Sequence, residues 1–225
     1  MIWNIYSWVY WILELVEPYK KHQTELLAQI KDNSTSMSLL EVGPGRGYLT
    51  EKLIKEGYNV SIVDTSNKMI RSVIKRTKNK LIRTYNDDYL KFDDSERYSV
   101  VVMNNVLYSL SSQEEAIKKT KKLLVKKGLF VISDPLPTFR TSKLILSQIK
   151  SNQIINTILL ILLLPILIPF AIINIVIDYK AKVSKHYCYL SASAIRKLLV
   201  DNGFKIICNK VSYAEQNTLF VATSE

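Results

Sequence analysis

Histidine and cysteine are scarce: His22, His186, Cys188 and Cys208 are the whole supply in 225 residues. Two cysteines without a C-x-x-C spacing exclude a disulfide framework and a zinc ribbon, and fit a reducing compartment. Two histidines exclude a multi-histidine metal centre. Six glycines and six prolines exclude collagen-like and low-complexity linker sequence. Acidic residues are the minority sign, 20 against 31 basic, for a net charge of +11. Apolar residues are not lacking. At 48% hydrophobic and 23% charged the chain can bury a core, which excludes wholesale disorder. The length suits one domain with a decoration. The aromatic start, residues 1–11, has no basic n-region, apolar h-region or small-residue cleavage site, and is not read as a signal peptide.

The positive balance fits nucleic acid, an anionic membrane surface or plain solubility. Lysines crowd residues 68–83 and 118–127, both of which read as solvated helix faces. Residues 3–30 read as one or two helices with a break at Pro18. From residue 38 strands and helices alternate. Strands are expected at 38–42, 59–63, 80–85, 98–103 and 128–133, and helices at 48–55, 67–76 and 113–125, with Thr65 or Ser66 as a helix cap. This alternation implies a parallel sheet with helices on both faces, an α/β fold. After an apolar interruption, a helix at 191–202 ends at Gly203. Strands at 205–211 and 218–223 then form an antiparallel pair at the sheet edge.

The first strand runs into Glu41-Val42-Gly43-Pro44-Gly45-Arg46-Gly47. Glycines between a strand and a helix let a ligand approach the backbone closely. Tyr48 stands where a dinucleotide fingerprint needs its last glycine, and no Gly-Lys-Ser/Thr follows for a P-loop. Asp64 closes the second strand, and Asp87-Asp88 follow the third. With Glu41, these acids lie at the carboxyl ends of adjacent strands, where open α/β sheets bind ligands. They suit a cationic or donor-rich ligand and would repel a pyrophosphate.

This set resembles the class I S-adenosylmethionine-dependent methyltransferases, closely over residues 38–135 and less so over 187–223. Residues 124–132, Leu124-Val-Lys-Lys-Gly128-Leu-Phe-Val-Ile, add to the match. The resemblance implies a Rossmann-like seven-stranded, mostly parallel sheet with an antiparallel last strand. It has an N-terminal helical cap (1–34), a methyltransferase domain (35–137 and 187–225) and an apolar helical insertion after strand five (138–186). It implies S-adenosyl-L-methionine as cofactor, with Gly43, Gly45 and Gly47 near its methionine part. Glu41 would be at its amino group, Asp64 at the ribose hydroxyls and Asp88 at the adenine edge. Asn104 or Asn105 would contribute a backbone carbonyl near the sulfonium. A general base is needed only for a weakly acidic acceptor, and His186 and Tyr108 are the candidates. Tyr6, Tyr10, Tyr48 and Tyr187 are expected as walls of an aromatic substrate pocket.

Residues 41–50 and 88–92 are also similar to the ribosomal RNA adenine dimethyltransferases. That branch needs an Asn-Ile/Leu-Pro-Tyr/Phe signature to hold a flipped adenine. Here Asn104-Asn105-Val106-Leu107-Tyr108 lacks the proline, and no helical C-terminal domain is expected. Nucleic acid is therefore a minor expectation. Residues 151–177 carry no charge. As one helix, at about 1.5 Å per residue, the run could cross a hydrocarbon core of roughly 30 Å. Strands of the same sheet precede and follow it, so both its ends must emerge on one side. Pro165 and Pro169 offer the bend. Two short apolar helices, about 151–164 and 170–181, are expected to dip into a membrane or fold over the site. Lys143, Lys150, Lys180, Lys182 and Lys185 flank them, and Trp3, Trp8 and Trp11 suit the same interface. The expectation is a cytoplasmic enzyme, peripheral or monotopic on a membrane, that methylates a small lipophilic molecule. The alternatives are an RNA adenine methyltransferase and a non-catalytic membrane-associated protein that keeps the fold. The oligomeric state is not legible.

Overall fold

A computed structural model describes residues 7, 10–34, 36–81, 83–151, 154–162, 165, 168, 172, 175–176, 179 and 187–225. Seven strands form one sheet: β1 (Ser38–Val42), β2 (Asn59–Val63), β3 (Arg83–Tyr85), β4 (Tyr98–Asn104), β5 (Leu124–Pro135), β6 (Phe204–Ser212) and β7 (Asn217–Ser224). The spatial order is β3-β2-β1-β4-β5-β7-β6. Strands β1 to β5 pair in parallel, and β7 runs antiparallel to both neighbours. The helices are α1 (Glu17–Asn33), α2 (Tyr48–Lys55), α3 (Asn67–Thr77), α4 (Gln113–Leu123), α5 (Thr141–Lys150), α6 (Ile154–Leu162) and α7 (Ala192–Asp201). Two 3-10 turns join them, Tyr10–Leu15 and Leu107–Ser109.

The central strands are buried on both faces, so they read as apolar runs rather than alternating ones. One face of the sheet packs Leu26 and Ile30 of α1, Leu49 and Leu53 of α2, and Ile70 and Val73 of α3. The other packs Ala116 and Ile117 of α4 and Ile195 and Leu199 of α7. Each of the Leu, Ile and Val side chains among them, fully buried, contributes about 1.5–3 kcal/mol. The lysine-rich helices α3 and α4 therefore lie on opposite faces, as the alternation requires, and form no common groove.

Boundaries differ from the sequence reading where tertiary pairing overrides local pattern. Helix α4 stops at Leu123, because Leu124 pairs with Tyr98 and begins β5 four residues early. An irregularity follows, with Lys127 at φ 61°. Strand β3 keeps only three residues, those that reach β2. Pro18 starts α1 instead of dividing it, where its missing N–H costs nothing. Ser66 accepts from the Met69 amide and is the cap of α3. Strand β7 is interior and β6 is the edge. In the insertion, α5 is an additional helix and α6 lies within the first expected one, 151–164. Most of the second, 170–181, lies outside the described residues, as do Pro169, Trp3, Trp8, Lys180, Lys182 and Lys185. No described helix is long and apolar enough to cross a membrane.

Candidate active site

The carboxyl ends of β1, β2 and β4, with the loop after β3, open into a cavity of about 520 Å³. Gly43, Gly45, Asp64, Asp88, Asn104, Asn105, Tyr10 and Tyr187 all line it. The fold brings these sequence-predicted residues into one concavity from six separate segments.

The glycine loop leaves β1 with Gly43 at φ +63° and Gly45 at φ +57°, a region that L side chains rarely adopt. A Cβ on Gly43 would stand 2.5 Å from Val106 Cγ2, and one on Gly45 3.0 Å from the Tyr10 ring. The loop is therefore a cradle roofed by Val106 and Tyr10, with room only for backbone. Gly47 does not line the cavity. It precedes α2, and its missing side chain lets Val73 of α3 approach to 2.9 Å of the Cβ position.

The three acids differ in environment. Glu41 is 3% exposed and lies behind the loop rather than in the cavity wall. Burial pushes its carboxyl up to about 8, against a 2.6 Å hydrogen bond donated by the Thr50 hydroxyl. Asp64 lines the wall. Its Oδ1 accepts from the Ser66 amide at 2.7 Å, and burial still raises its pKa to about 6. Asp88 lines the wall beside the more exposed Asp87, with its Oδ1 accepting from the Leu90 amide at 2.9 Å.

At the end of β4, Asn105 turns into the left-handed region, φ 57°, and donates its amide to the Ser133 carbonyl at 2.7 Å. Asn105 Oδ1 accepts from Asn217 Nδ2 at 2.7 Å, and Asn104 Oδ1 lies 3.0 Å from His22 Nε2. Both side chains are thus tied into a buried polar network that sequence reading missed: His22, Gln23, Ser133, Ser212 and Asn217. One signal existed. On α1 the buried positions are Pro18, Tyr19, His22, Gln23, Leu26 and Ile30, so two polar residues, His22 and Gln23, occupy the core stripe of an amphipathic helix. Asp134 was missed too. It is wholly buried, and burial raises its pKa well above the carboxylate range, against the amides of Tyr108, Leu107 and Val106.

The expected aromatic wall is only partly assembled. Tyr10 sits over Gly45, its phenol pushed up to about 12 by burial. Tyr187 lines the cavity, while Tyr108 is buried behind it, 6.3 Å from Tyr187 and stacked on Tyr189 at 5.2 Å. Tyr48 lies away from the cavity, between Tyr19, Lys52 and Arg76. Tyr6 and His186 lie outside the described residues. Among the described residues, no cluster of three His, Cys, Asp or Glu could hold a metal.

The family model described as "Methyltransferase domain" matches residues 15–209. An uncharacterized methyltransferase of Bacillus cytotoxicus is 31% identical over 117 residues, 51% of this chain and 54% of that protein. A ribosomal RNA small subunit methyltransferase A of Francisella tularensis subsp. novicida is 34% identical over 92 residues, 38% of this chain and 34% of that protein. The chain thus spans about half the length of the first relative and a third of the second. The solved N-methyltransferase NodS of Bradyrhizobium japonicum, in complex with S-adenosyl-L-homocysteine, superposes with a TM-score of 0.62 at 18% identity. That match covers 92% of this chain and 88% of NodS.

Proposed function

The chain belongs to the methyltransferase domain family, and we propose that it uses S-adenosylmethionine to methylate a lipophilic small molecule taken from a membrane surface. The observation that carries this reading is the apolar face of the insertion. Ile145 and Ile149 of α5 and Ile154, Ile155, Ile158 and Leu162 of α6 are all more than half exposed, and α6 buries no residue. A lid closed over the site would bury these side chains. Helix α6 packs on the 3-10 turn that brings Tyr10 over the cavity. Glu17 of α1 donates its amide to Gln148 of α5 at 2.7 Å. A surface that inserts at α5 and α6 would therefore be coupled to the cavity wall.

The residues present fit the cofactor: Gly43 and Gly45, packed under Val106 and Tyr10, leave bare backbone at the wall, and Asp64 and Asp88 supply acceptors there. When bound, S-adenosylmethionine supplies an activated methyl group on a sulfonium that leaves readily. Asp64 would accept from the ribose hydroxyls and Asp88 from the adenine amino group. The backbone at Gly43 and Gly45 would face the methionine part, with Glu41 behind it for the amino group and Asn104 or Asn105 offering a carbonyl. The remaining task is to align the acceptor and exclude water, and such positioning is worth about 7–11 kcal/mol. Tyr10 and Tyr187 are assigned to the acceptor's wall. A proton on the acceptor, where there is one, is assigned to His186; Tyr108, the other candidate, stands behind Tyr187 and does not line the cavity. Residues 1–34 act as a cap, 35–137 with 187–225 as the catalytic domain, and 138–186 as the membrane-facing insertion.

The ribosomal RNA relative favours a second reading, methylation of RNA adenine. Incubation of the protein and labelled cofactor with total lipid or total RNA extracts decides between them. Label in the lipid fraction supports the reading; label in RNA alone overturns it.

A further inference from the structure

His22 is buried, 1% exposed, where three strands end beneath α1. Its Nε2 lies 3.0 Å from Asn104 Oδ1 on β4 and 3.2 Å from Ser133 Oγ on β5. Its Nδ1 lies 3.2 Å from Ser212 Oγ on β6, and its ring stacks on Tyr213 at 5.0 Å. The partners determine the tautomer. Asn104 Nδ2 donates to Gln23 Oε1 at 3.3 Å, so Asn104 turns its oxygen, an acceptor only, toward His22. His22 Nε2 must then carry the hydrogen, and Nδ1 accepts from the Ser212 hydroxyl. Ser133 Oγ receives an N–H from Asn217 at 2.9 Å and lies within reach of the same Nε2–H.

We propose that His22 is a positioning residue: it donates Nε2–H to Asn104 and so holds the end of β4, a wall of the cofactor cavity, in one orientation. This role rests on the cavity being the cofactor site. Asn104 lines the cavity and Asn105, next to it, makes the left-handed turn that leads to Val106 over Gly43. A free carboxamide at that place would rotate and offer a ligand a mixed set of donors and acceptors. Locked from behind by His22 and Gln23, it offers one. Burial also pushes the His22 pKa down to about 4, so the ring is the neutral donor at physiological pH.

The test is calorimetric titration of the full chain with S-adenosylhomocysteine, for the wild type and His22→Phe, His22→Gln, Asn104→Ala and His22→Phe/Asn104→Ala. Phe keeps the stack on Tyr213 and removes the donor; the Gln amide restores an N–H near Nε2. His22→Phe is expected to weaken binding about tenfold, the loss of one hydrogen-bonded constraint near 1.4 kcal/mol. His22→Gln recovers most of it. The double variant binds no more weakly than Asn104→Ala alone, because His22 acts only through Asn104. Long-range proton–nitrogen NMR of the wild type should show a neutral Nε2–H imidazole whose signals vanish in His22→Gln, a readout that does not depend on the Phe variant folding. Additive losses in the double variant, wild-type affinity in His22→Phe, or an Nδ1–H tautomer each overturn the role. A wild-type protein that does not bind S-adenosylhomocysteine overturns the cofactor reading itself, which separates the two failures.

Discussion

Asp64 is the residue on which cofactor affinity should depend most. Asp64→Ala removes the acceptor for two hydroxyls in a closed site and is expected to cost about 2–4 kcal/mol of binding, with charged hydrogen bonds worth about 1.5–3 each. Its pKa, raised to about 6 by burial, adds a pH signature. The ionised carboxylate is the stronger acceptor, so S-adenosylhomocysteine affinity should rise as pH climbs through about 6, and Asp64→Asn should flatten that rise. Calorimetry across roughly pH 4.5 to 7.5, about 1.5 units either side of the titrating group, would show both. Gly45→Val should abolish binding while the fold survives. Its Cβ would meet the Tyr10 ring at a buried position of the loop, and its φ of +57° strains any branched residue. Circular dichroism and the same titration would check this. These residues were legible because their partners are close in sequence: strand, turn and helix N-terminus follow one another. Glu41 was legible, but Thr50 holding it was not. Nor was His22, whose partners lie 82, 111 and 190 residues away. No local pattern encodes such contacts.

Among the elements, helix α6 carries the sharpest expectation. Ile155→Ser, Ile158→Ser and Leu162→Ser together change side chains that are 76%, 51% and 70% exposed. Exposed substitutions away from packing features alter stability by only about 0.5 kcal/mol each. At about 0.8 kcal/mol per buried CH₂, losing these aliphatic groups should nevertheless weaken vesicle binding by several kcal/mol. Flotation with vesicles containing anionic lipid should therefore lose the triple variant while its melting temperature stays within about 6 °C, the shift that three such small changes give together. High salt should weaken only the lysine-dependent part of the wild-type attachment. If the wild type ignores vesicles, the exposed face has another occupant. Element types were legible where periodicity was long, as in α2, α3 and β4. Boundaries failed where a neighbour decided them: Tyr98 drew Leu124 into β5, and β2 limited β3 to the residues it could pair.

For the molecule as a whole, buried titratable groups set the pH dependence of stability. Folded Glu41 keeps its proton to about pH 8, whereas an ordinary glutamate releases it near 4.5. Above 4.5 the native state therefore holds an extra proton, and stability falls as pH rises to 8. His22 acts in the other direction. With a folded pKa of about 4 against an ordinary 6.5, it costs stability as pH falls from 6.5 to 4 and is silent above 6.5. The ligand-free protein should therefore melt at a lower temperature at pH 8 than at 6.5. Glu41→Gln should reduce that slope without abolishing it, because Asp134 is raised in the same sense. Scanning calorimetry at the two pH values checks both parts.

The position of β7 has a consequence for the chain as it is made. Strand β5 and edge strand β6 are joined only through β7, which the ribosome makes after both. Translation thus delivers β6 with no neighbour to receive it, and leaves one side of β5 open until residues 217–224 arrive. The uncharged residues 151–177 are made within that interval. Ladder contacts such as Leu129 with Thr223 also close late, since they span most of a hundred residues of chain. A nascent chain halted before β7 would present an unpaired interior strand together with the apolar helices, which is a substrate for chaperones or for capture by a nearby lipid surface. Ribosome profiling with crosslinking to chaperones should therefore place their engagement between the synthesis of α6 and that of β7.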